Sequence, residues 1–164
     1  MSRREFLMGA VAAVALAVSP AAFGQQASSG GTAEQAKAML AKAVAAVKAD
    51  KAKALDMFNK GEGGFLVGDL YPFCFNISDG KIVAVLANPN AKSVIGVDVR
   101  TLKDSTGKPF GQIQFAAGSK PEAELTETSY LFSRPSDATP VQKTSFTTKV
   151  GDLVCGVGYY TVAK

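Results

Sequence analysis

The chain has no histidine, the side chain that most often serves as a general base or as a zinc or haem ligand. Serine and cysteine triads that depend on histidine are therefore excluded. Paired carboxylates remain a possible hydrolytic device, but the acids are scattered, and aspartate in polar turns commonly shapes the backbone. Four acids stand in such turns: Asp69, Asp79, Asp104 and Asp152. We therefore expect that the protein is not an enzyme.

Oxygen and sulfur ligands offer little support for a bound metal or cofactor. Asp98, Asp104 and Asn88 lie within one irregular segment, so a calcium site is conceivable there. No segment has the alternating ligands and closing Glu of an EF-hand, and solvated loop charges are the favoured interpretation. The spacing of Cys74 and Cys155 matches neither a CxxC redox motif nor a haem-attachment motif. We expect no metal and no cofactor.

Binding of a small anion is the chemistry that the remaining side chains could support, because a carboxylate requires a charge-assisted donor. The cations that are candidates for this donor are Arg100, Lys108, Arg134 and Lys143. The aromatic residues that are candidates for an apolar wall, with phenols as further donors, are Tyr71, Tyr130 and Phe146. For each residue the alternative is a solvated surface charge or an ordinary core aromatic. Arg134 and Lys143 are the stronger candidates.

The elements that would position these side chains follow an export signal. Arg3 and Arg4 form a short positive region, an uncharged apolar run occupies residues 6–18, and small residues precede a cleavage site. The run is shorter than the roughly 20 residues of a membrane-spanning helix, although a retained inner-membrane anchor is the alternative. Residues 2–8 also resemble the twin-arginine export consensus, which a receptor reads. We predict a signal peptide over residues 1–24 and a periplasmic protein.

The mature chain would be one small domain. Cleavage leaves 140 residues and removes Arg3, Arg4 and Glu5, so the formal net charge falls from +4 to +3. The charge is spread along the chain without a basic block that contains aromatics, so we expect no nucleic-acid binding. No second apolar stretch is long enough to span a membrane, so we expect no stable membrane insertion after cleavage.

A flexible polar linker over residues 25–31 precedes a long predicted helix. Thr32 and Gln35 fit a capping box at its start. Apolar residues then recur at helical spacing until Gly61 ends the run. A single helix over residues 33–60 would be roughly 42 Å long, so it must lie across the body of the domain or project from it.

After Gly68 the apolar pattern changes to a period of two, which predicts strands. A hairpin is predicted over residues 71–87, and the segment 88–118 that follows is predicted to contain short helical turns near 99–102 and 109–116. The further predicted strands are residues 124–132, 141–149 and 153–162. These elements predict an α+β, PAS-like domain over residues 32–164, in which the long N-terminal helix packs on a five-stranded antiparallel sheet with a short helical insert.

Three segments, in this order, resemble single Cache domains. Residues 64–80 with 87–89 resemble the first hairpin, residues 102–111 the connecting segment, and residues 143–160 the closing hairpin. The resemblance implies a sensor domain outside the cytoplasm that binds small ligands, often carboxylates, between the sheet and the insert. It also implies that the candidate binding residues lie there. Because the chain has no kinase or signalling module, its ligand state would be read by a separate membrane histidine kinase or chemoreceptor.

The last strand carries two further expectations. In the sheet that the resemblance implies, the first and last strands are neighbours, which could bring Cys74 and Cys155 together in a compartment that permits disulfides. Two buried free thiols are the alternative. Gly156 and Gly158 are expected to admit the long helix across that face, and a ligand lying there is the alternative.

A second class of function stays open. The long helix could pair with another chain, including a second copy of this one, in a structural or scaffolding role without a small ligand.

Overall fold

The structure is a computed structural model that describes residues 31–86 and 94–161. The predicted signal peptide over residues 1–24, the linker before Gly31, and residues 87–89, which include the candidate oxygen ligand Asn88, lie outside these residues. Both cysteines and all seven candidate binding residues are within them.

Two helices take the place of the single long helix that the sequence predicts. Helix α1 (Ala33–Ala49) begins with the predicted capping box, in which the Thr32 side chain accepts from the Gln35 N–H at 3.2 Å. Helix α2 (Lys51–Lys60) ends at Gly61, whose φ of 71° closes the last turn. No helix in the described part of the chain is long and apolar enough to cross a membrane.

Asp50 is the reason that the prediction of one helix is wrong. Its backbone is extended, with φ −158° and ψ 98°, and its side chain accepts from the Lys53 N–H at 3.0 Å. Aspartate is among the best N-cap residues because its carboxylate satisfies an N–H that the first helical turn leaves unpaired. The side chain therefore stabilises the start of a second helix instead of the continuation of the first.

Five antiparallel strands form one sheet, as the sequence predicts. The strands are β1 (Pro72–Asn76), β2 (Ile82–Ala84), β3 (Thr126–Arg134), β4 (Asp137–Val150) and β5 (Leu153–Tyr160). Their spatial order is β2-β1-β5-β4-β3, so the first and last strands of the chain are neighbours in the middle of the sheet.

Strand β4 begins earlier than the predicted start at residue 141. Asp137 already pairs with Arg134 across a tight turn, and Pro140 lies within the strand, opposite Ser133. In the described residues this part of β4 pairs with β3 only, because the ladder with β5 begins at Lys143. A proline, which has no N–H donor, is tolerated where a strand has only one neighbour.

The two faces of the sheet carry separate cores because side chains alternate along each strand. On one face Cys155 and Val157 of β5 pack against Leu40 of α1 and Phe58 of α2. On the other face Val154 packs with Tyr71, Phe75 and residues of the insert. The helices therefore cover one face, and the insert covers the other.

Cys74 and Cys155 lie directly opposite each other in the β1–β5 ladder and form a disulfide. Both residues are fully buried on the helix face of the sheet. Cross-linking across an interval of 81 residues stabilises the fold by about 4–5 kcal/mol in the chain-entropy model.

The insert contains helix α3 (Phe110–Phe115) between two 3₁₀ turns, Val99–Thr101 and Ala116–Ser119. Gly111 allows its close packing, since a Cβ there would lie 1.7 Å from the Val99 carbonyl oxygen. Asp104 fastens the insert to β3 by accepting from the Leu131 N–H at 3.1 Å. Hydrogen bonds from the Thr106 hydroxyl and the Leu131 N–H lower the pKa of Asp104 to about 2.

Candidate ligand-binding cavity

A cavity lies between the insert and the sheet face that the long helices leave uncovered. Its volume is about 40 Å³, several times the ~10–15 Å³ that one enclosed water requires. Mostly apolar and aromatic side chains surround it. The lining residues are Tyr71, Phe73, Ile82, Val85, Val94, Val99, Leu102, Phe110, Gln114, Tyr130, Phe132 and Lys143. An apolar cavity with a few polar groups is the usual form of a small-molecule site.

Lys143 is the cation of this cavity. Although it is a lysine, only 1% of the residue is exposed, and its ammonium donates to the Tyr71 hydroxyl at 3.0 Å. The nitrogen also lies over three aromatic rings, 4.3 Å from the centroid of Tyr71, 4.9 Å from Tyr160 and 5.2 Å from Phe132. In the described part of the chain no carboxylate forms a salt bridge with it. The cavity therefore contains a buried positive group without a counter-ion.

Burial disfavours the charged form of Lys143 and lowers the pKa of its ammonium to about 7, while the negative charge of Asp69 acts in the opposite direction. The aromatic faces also favour the ammonium over the neutral amine. A bound anion would supply the charge that the site lacks.

Gly158 makes the position of Lys143 possible. It pairs with Ser145 on β4, and a Cβ at Gly158 would lie 2.3 Å from Cε of Lys143 and 2.4 Å from Oγ of Ser145. Gly156 likewise makes room for the ring of Phe73, at 2.5 Å. The expectation that the long helix crosses these glycines is wrong, because alternation along β5 turns both glycines toward the cavity face of the sheet.

Two tyrosines add neutral hydroxyl groups. The ring of Tyr130 stacks on Phe110, with centroids 4.1 Å apart, and its hydroxyl is 2.9 Å from Oγ of Ser145. Burial raises the pKa of both Tyr71 and Tyr130. Both phenols therefore keep their protons at neutral pH and can donate to an anion.

Gln114 is a polar lining residue that is absent from the set of predicted site residues. It lies on α3 and is 2% exposed, and its Nε2 atom has no hydrogen-bond partner in the described residues. The amide lies close to the Tyr130 hydroxyl and lowers the pKa of that phenol, whereas burial raises it. The Nε2 atom nevertheless makes no hydrogen bond to that hydroxyl. Its position four residues after Phe110 places it on the same face of α3 as that ring. This spacing is the signal in the sequence that could have identified it.

Arg134 lies beside the cavity but does not line it. It forms a largely buried ion pair with Asp69, whose side chain is 12% exposed, and its guanidinium lies over the ring of Tyr160, 5.1 Å from the centroid. Because that ring also contacts Lys143, the ion pair supports one wall of the lysine environment.

The other three candidates lie away from the cavity. Phe146 follows Lys143 by three positions, so it points to the opposite face of β4 and belongs to the core under the helices. Arg100 pairs with Asp98 at 2.6 Å, and Lys108 donates to the Ser129 carbonyl. Both cations are thereby held at the outside of the insert.

No protein-family model and no curated protein sequence matches the chain. Solved structures do match its fold. A methyl-accepting chemotaxis protein from Vibrio parahaemolyticus superposes with a TM-score of 0.61 and 20% identity over 77% of this chain and 86% of its own. The periplasmic sensor domain of a chemotaxis protein gives a TM-score of 0.55 at 20% identity, over 79% of this chain and 90% of its own.

A third solved structure is a Cache chemosensory domain described for its carboxylic acid recognition. It has a TM-score of 0.54 and 20% identity over 79% of this chain and 88% of its own. In all three, the match extends over most of both chains. The protein therefore has the PAS-like α+β fold of a single Cache-type sensor domain.

Proposed function

We propose that the protein is a periplasmic sensor domain, not an enzyme, and that it binds a small carboxylate in the cavity around Lys143. The observation that carries this proposal is the buried ammonium with no carboxylate within salt-bridge distance in the described residues. A buried charge is costly unless it is paired. A carboxylate ligand would pair it by accepting from the ammonium and from a neighbouring phenol.

The size and lining of the cavity restrict the ligand. A volume of about 40 Å³ suits a molecule with a short carbon chain, and the rings of Phe73, Phe110 and Phe132 would surround an apolar tail. The direct contacts that we propose are Lys143, Tyr71 and Tyr130, with Arg134 as a positioning residue that acts through Asp69. Arg100, Lys108 and Phe146 are not part of this proposal, because none of them lines the cavity.

The solved structures with the same fold support a sensory role. Two belong to chemotaxis proteins, and the third is a chemosensory domain that recognises carboxylic acids. We propose that residues 1–24 are a signal peptide that directs export, and that the exported domain passes its ligand state to a separate membrane chemoreceptor or histidine kinase.

Calorimetric titration with formate, acetate, propionate and butyrate tests the ligand class. Acetamide and propionamide serve as neutral controls of almost the same shape. We expect the carboxylates to bind and the amides to fail, because the amides cannot pair the ammonium. Equal binding of acids and amides would contradict recognition of the carboxylate charge. No binding of either would contradict the proposal as a whole and leave the scaffolding role as the better explanation.

Lys143→Met tests the assigned cation, because methionine keeps most of the side-chain length without the charge. We expect at least a tenfold loss of carboxylate affinity, since a charge-assisted hydrogen bond contributes about 1.5–3 kcal/mol. The matched control is Lys149→Met, the same substitution on the same strand and the same face, outside the cavity lining. Unchanged affinity in Lys143→Met would remove this lysine from the site.

A further inference from the structure

The amide of Gln114 is a buried donor without a partner. Its Nε2 atom is inaccessible to solvent and makes no hydrogen bond in the described residues, although the residue lines the cavity. Three threonine hydroxyls of the sheet also lack partners in those residues, at Thr126, Thr128 and Thr148, but none of them lines the cavity. An unpaired buried donor destabilises a fold, so its presence at this place requires an explanation.

The amide is held in place by its neighbours. Phe110, one turn before it, stacks on Tyr130, and Gly111 packs against the Val99 carbonyl oxygen. Helix α3 therefore cannot rotate to bring the amide to solvent without breaking these contacts. The residue therefore stays in the cavity wall when no ligand is bound.

The neighbouring polar groups in the cavity already have partners. The Lys143 ammonium donates to the Tyr71 hydroxyl, and the Tyr130 hydroxyl forms a hydrogen bond with the Ser145 hydroxyl. In the described residues the Gln114 Nε2 atom is the cavity donor that makes no hydrogen bond at all, whereas the ammonium makes one and keeps further N–H groups for the same ligand. A carboxylate offers only acceptors, so it is complementary to the Gln114 amide.

We infer that Nε2 of Gln114 donates to an oxygen atom of the bound ligand and is a further polar contact that recognises it, beside Lys143 and the phenols of Tyr71 and Tyr130. The inference rests on the proposed function, since it concerns the same cavity. The accepting oxygen is either the second oxygen of the carboxylate or an oxygen on the adjacent carbon, as in 2-hydroxy and 2-oxo acids. In the second case Gln114 also determines which small acids bind.

Gln114→Leu separates a binding role from a structural one, because the two roles predict different results. Removal of an unpaired buried donor does not lower the stability of the ligand-free protein, so its melting temperature should be unchanged or higher. The affinity for the ligand should fall at least tenfold. Gln114→Met, which keeps the side-chain length, gives the same test if leucine disturbs the packing. The control is Gln112→Leu, the same change at an exposed position of α3.

Titration with propionate, lactate and pyruvate identifies the accepting oxygen. An equal loss for all three acids in Gln114→Leu supports contact with the carboxylate. A loss confined to lactate and pyruvate supports contact with the oxygen on the adjacent carbon. Wild-type binding that persists undiminished in Gln114→Leu overturns this inference alone. A wild-type protein that binds none of these acids overturns it together with the proposed function.

Discussion

Lys143 makes the stability of the domain depend on pH. Its pKa is about 7 in the folded protein and 10.5 in the unfolded chain. Between these values the unfolded chain binds a proton that the folded protein does not, so the free energy of unfolding rises with pH. Below pH 7 both states are protonated, and the cost of the buried charge is present in full.

Lys143→Met should therefore stabilise the ligand-free protein at pH 6 and flatten the rise in stability between pH 7 and pH 9. Denaturant unfolding at pH 6, 7, 8 and 9 measures both effects, and the range stops where tyrosines of the unfolded chain begin to titrate. Lys149→Met should keep the wild-type slope. If stability still rose with pH to the same extent in Lys143→Met, another ionisable group would be responsible for the rise.

The same buried ammonium predicts that a carboxylate binds together with a proton. The ionisable groups around it are the Asp69–Arg134 ion pair and the phenols of Tyr71, Tyr130 and Tyr160, whose pKa values are raised by burial. Lys143 is thus the group of the cavity that titrates near neutrality. Above pH 7, ligand affinity should fall by up to tenfold per pH unit.

Calorimetry at pH 8 in two buffers with different heats of ionisation counts the protons taken up. We expect close to one proton for each ligand bound by the wild-type protein. Zero uptake would mean that the lysine is already charged in the empty cavity. The attraction between the ammonium and the three aromatic rings would then outweigh its loss of hydration.

At the scale of elements, the disulfide and the cavity lie on opposite faces of the sheet. The double variant Cys74→Ala/Cys155→Ala should lose about 2–5 kcal/mol of stability, which denaturant unfolding measures. Because both cysteines belong to the core under the helices, ligand affinity should stay within about twofold at temperatures where the variant is folded. A large loss of affinity would show that the β1–β5 cross-link also positions Tyr71 and Phe73.

Much of the element order could be predicted from local chemistry. The Thr32–Gln35 capping box, the change of period after Gly68 and the helical turns of the insert all depend on residues close together in the sequence. The break at Asp50 does not follow from the sequence pattern, because its Ala- and Lys-rich neighbours favour helix on both sides. Whether an aspartate continues such a helix or caps a new one depends on tertiary packing of the second segment, which a sequence pattern does not contain.

The candidate site is predictable from the sequence in its chemistry but only partly in its geometry. Lys143, Tyr71 and Tyr130 were selected for their functional groups, and the structure places all three on one cavity. Phe146 was selected on the same grounds, although its odd separation from Lys143 along one strand puts the two on opposite faces. Arg100 is absent from the cavity because an aspartate two residues away competes for its guanidinium.

At the scale of the whole molecule, a ligand would join the insert to the sheet. Helix α3 contributes Phe110 and Gln114 to the cavity, the sheet contributes Lys143 and Tyr130, and Tyr71 lies directly before β1. A ligand at 100 times its Kd should stabilise the fold by about 2.7 kcal/mol. Amide hydrogen exchange should slow most in α3 and in the β3–β4 ladder. If hydrogen exchange slowed in α1 to the same degree, the ligand would not act mainly by joining the insert to the sheet.

The contact between Gly158 and Lys143 also has a historical consequence. The side chain of Lys143 occupies the space where any other residue at 158 would place its Cβ. During evolution of this sheet, a lysine following its present path could enter position 143 only after position 158 had become glycine. Among relatives we expect glycine at position 158 to occur with smaller residues at position 143, whereas lysine at 143 together with a bulky residue at 158 should be rare. The combination Lys-x-Ser paired with Gly-x-Tyr on the adjacent strand could then distinguish chains with this cavity from others of the same fold.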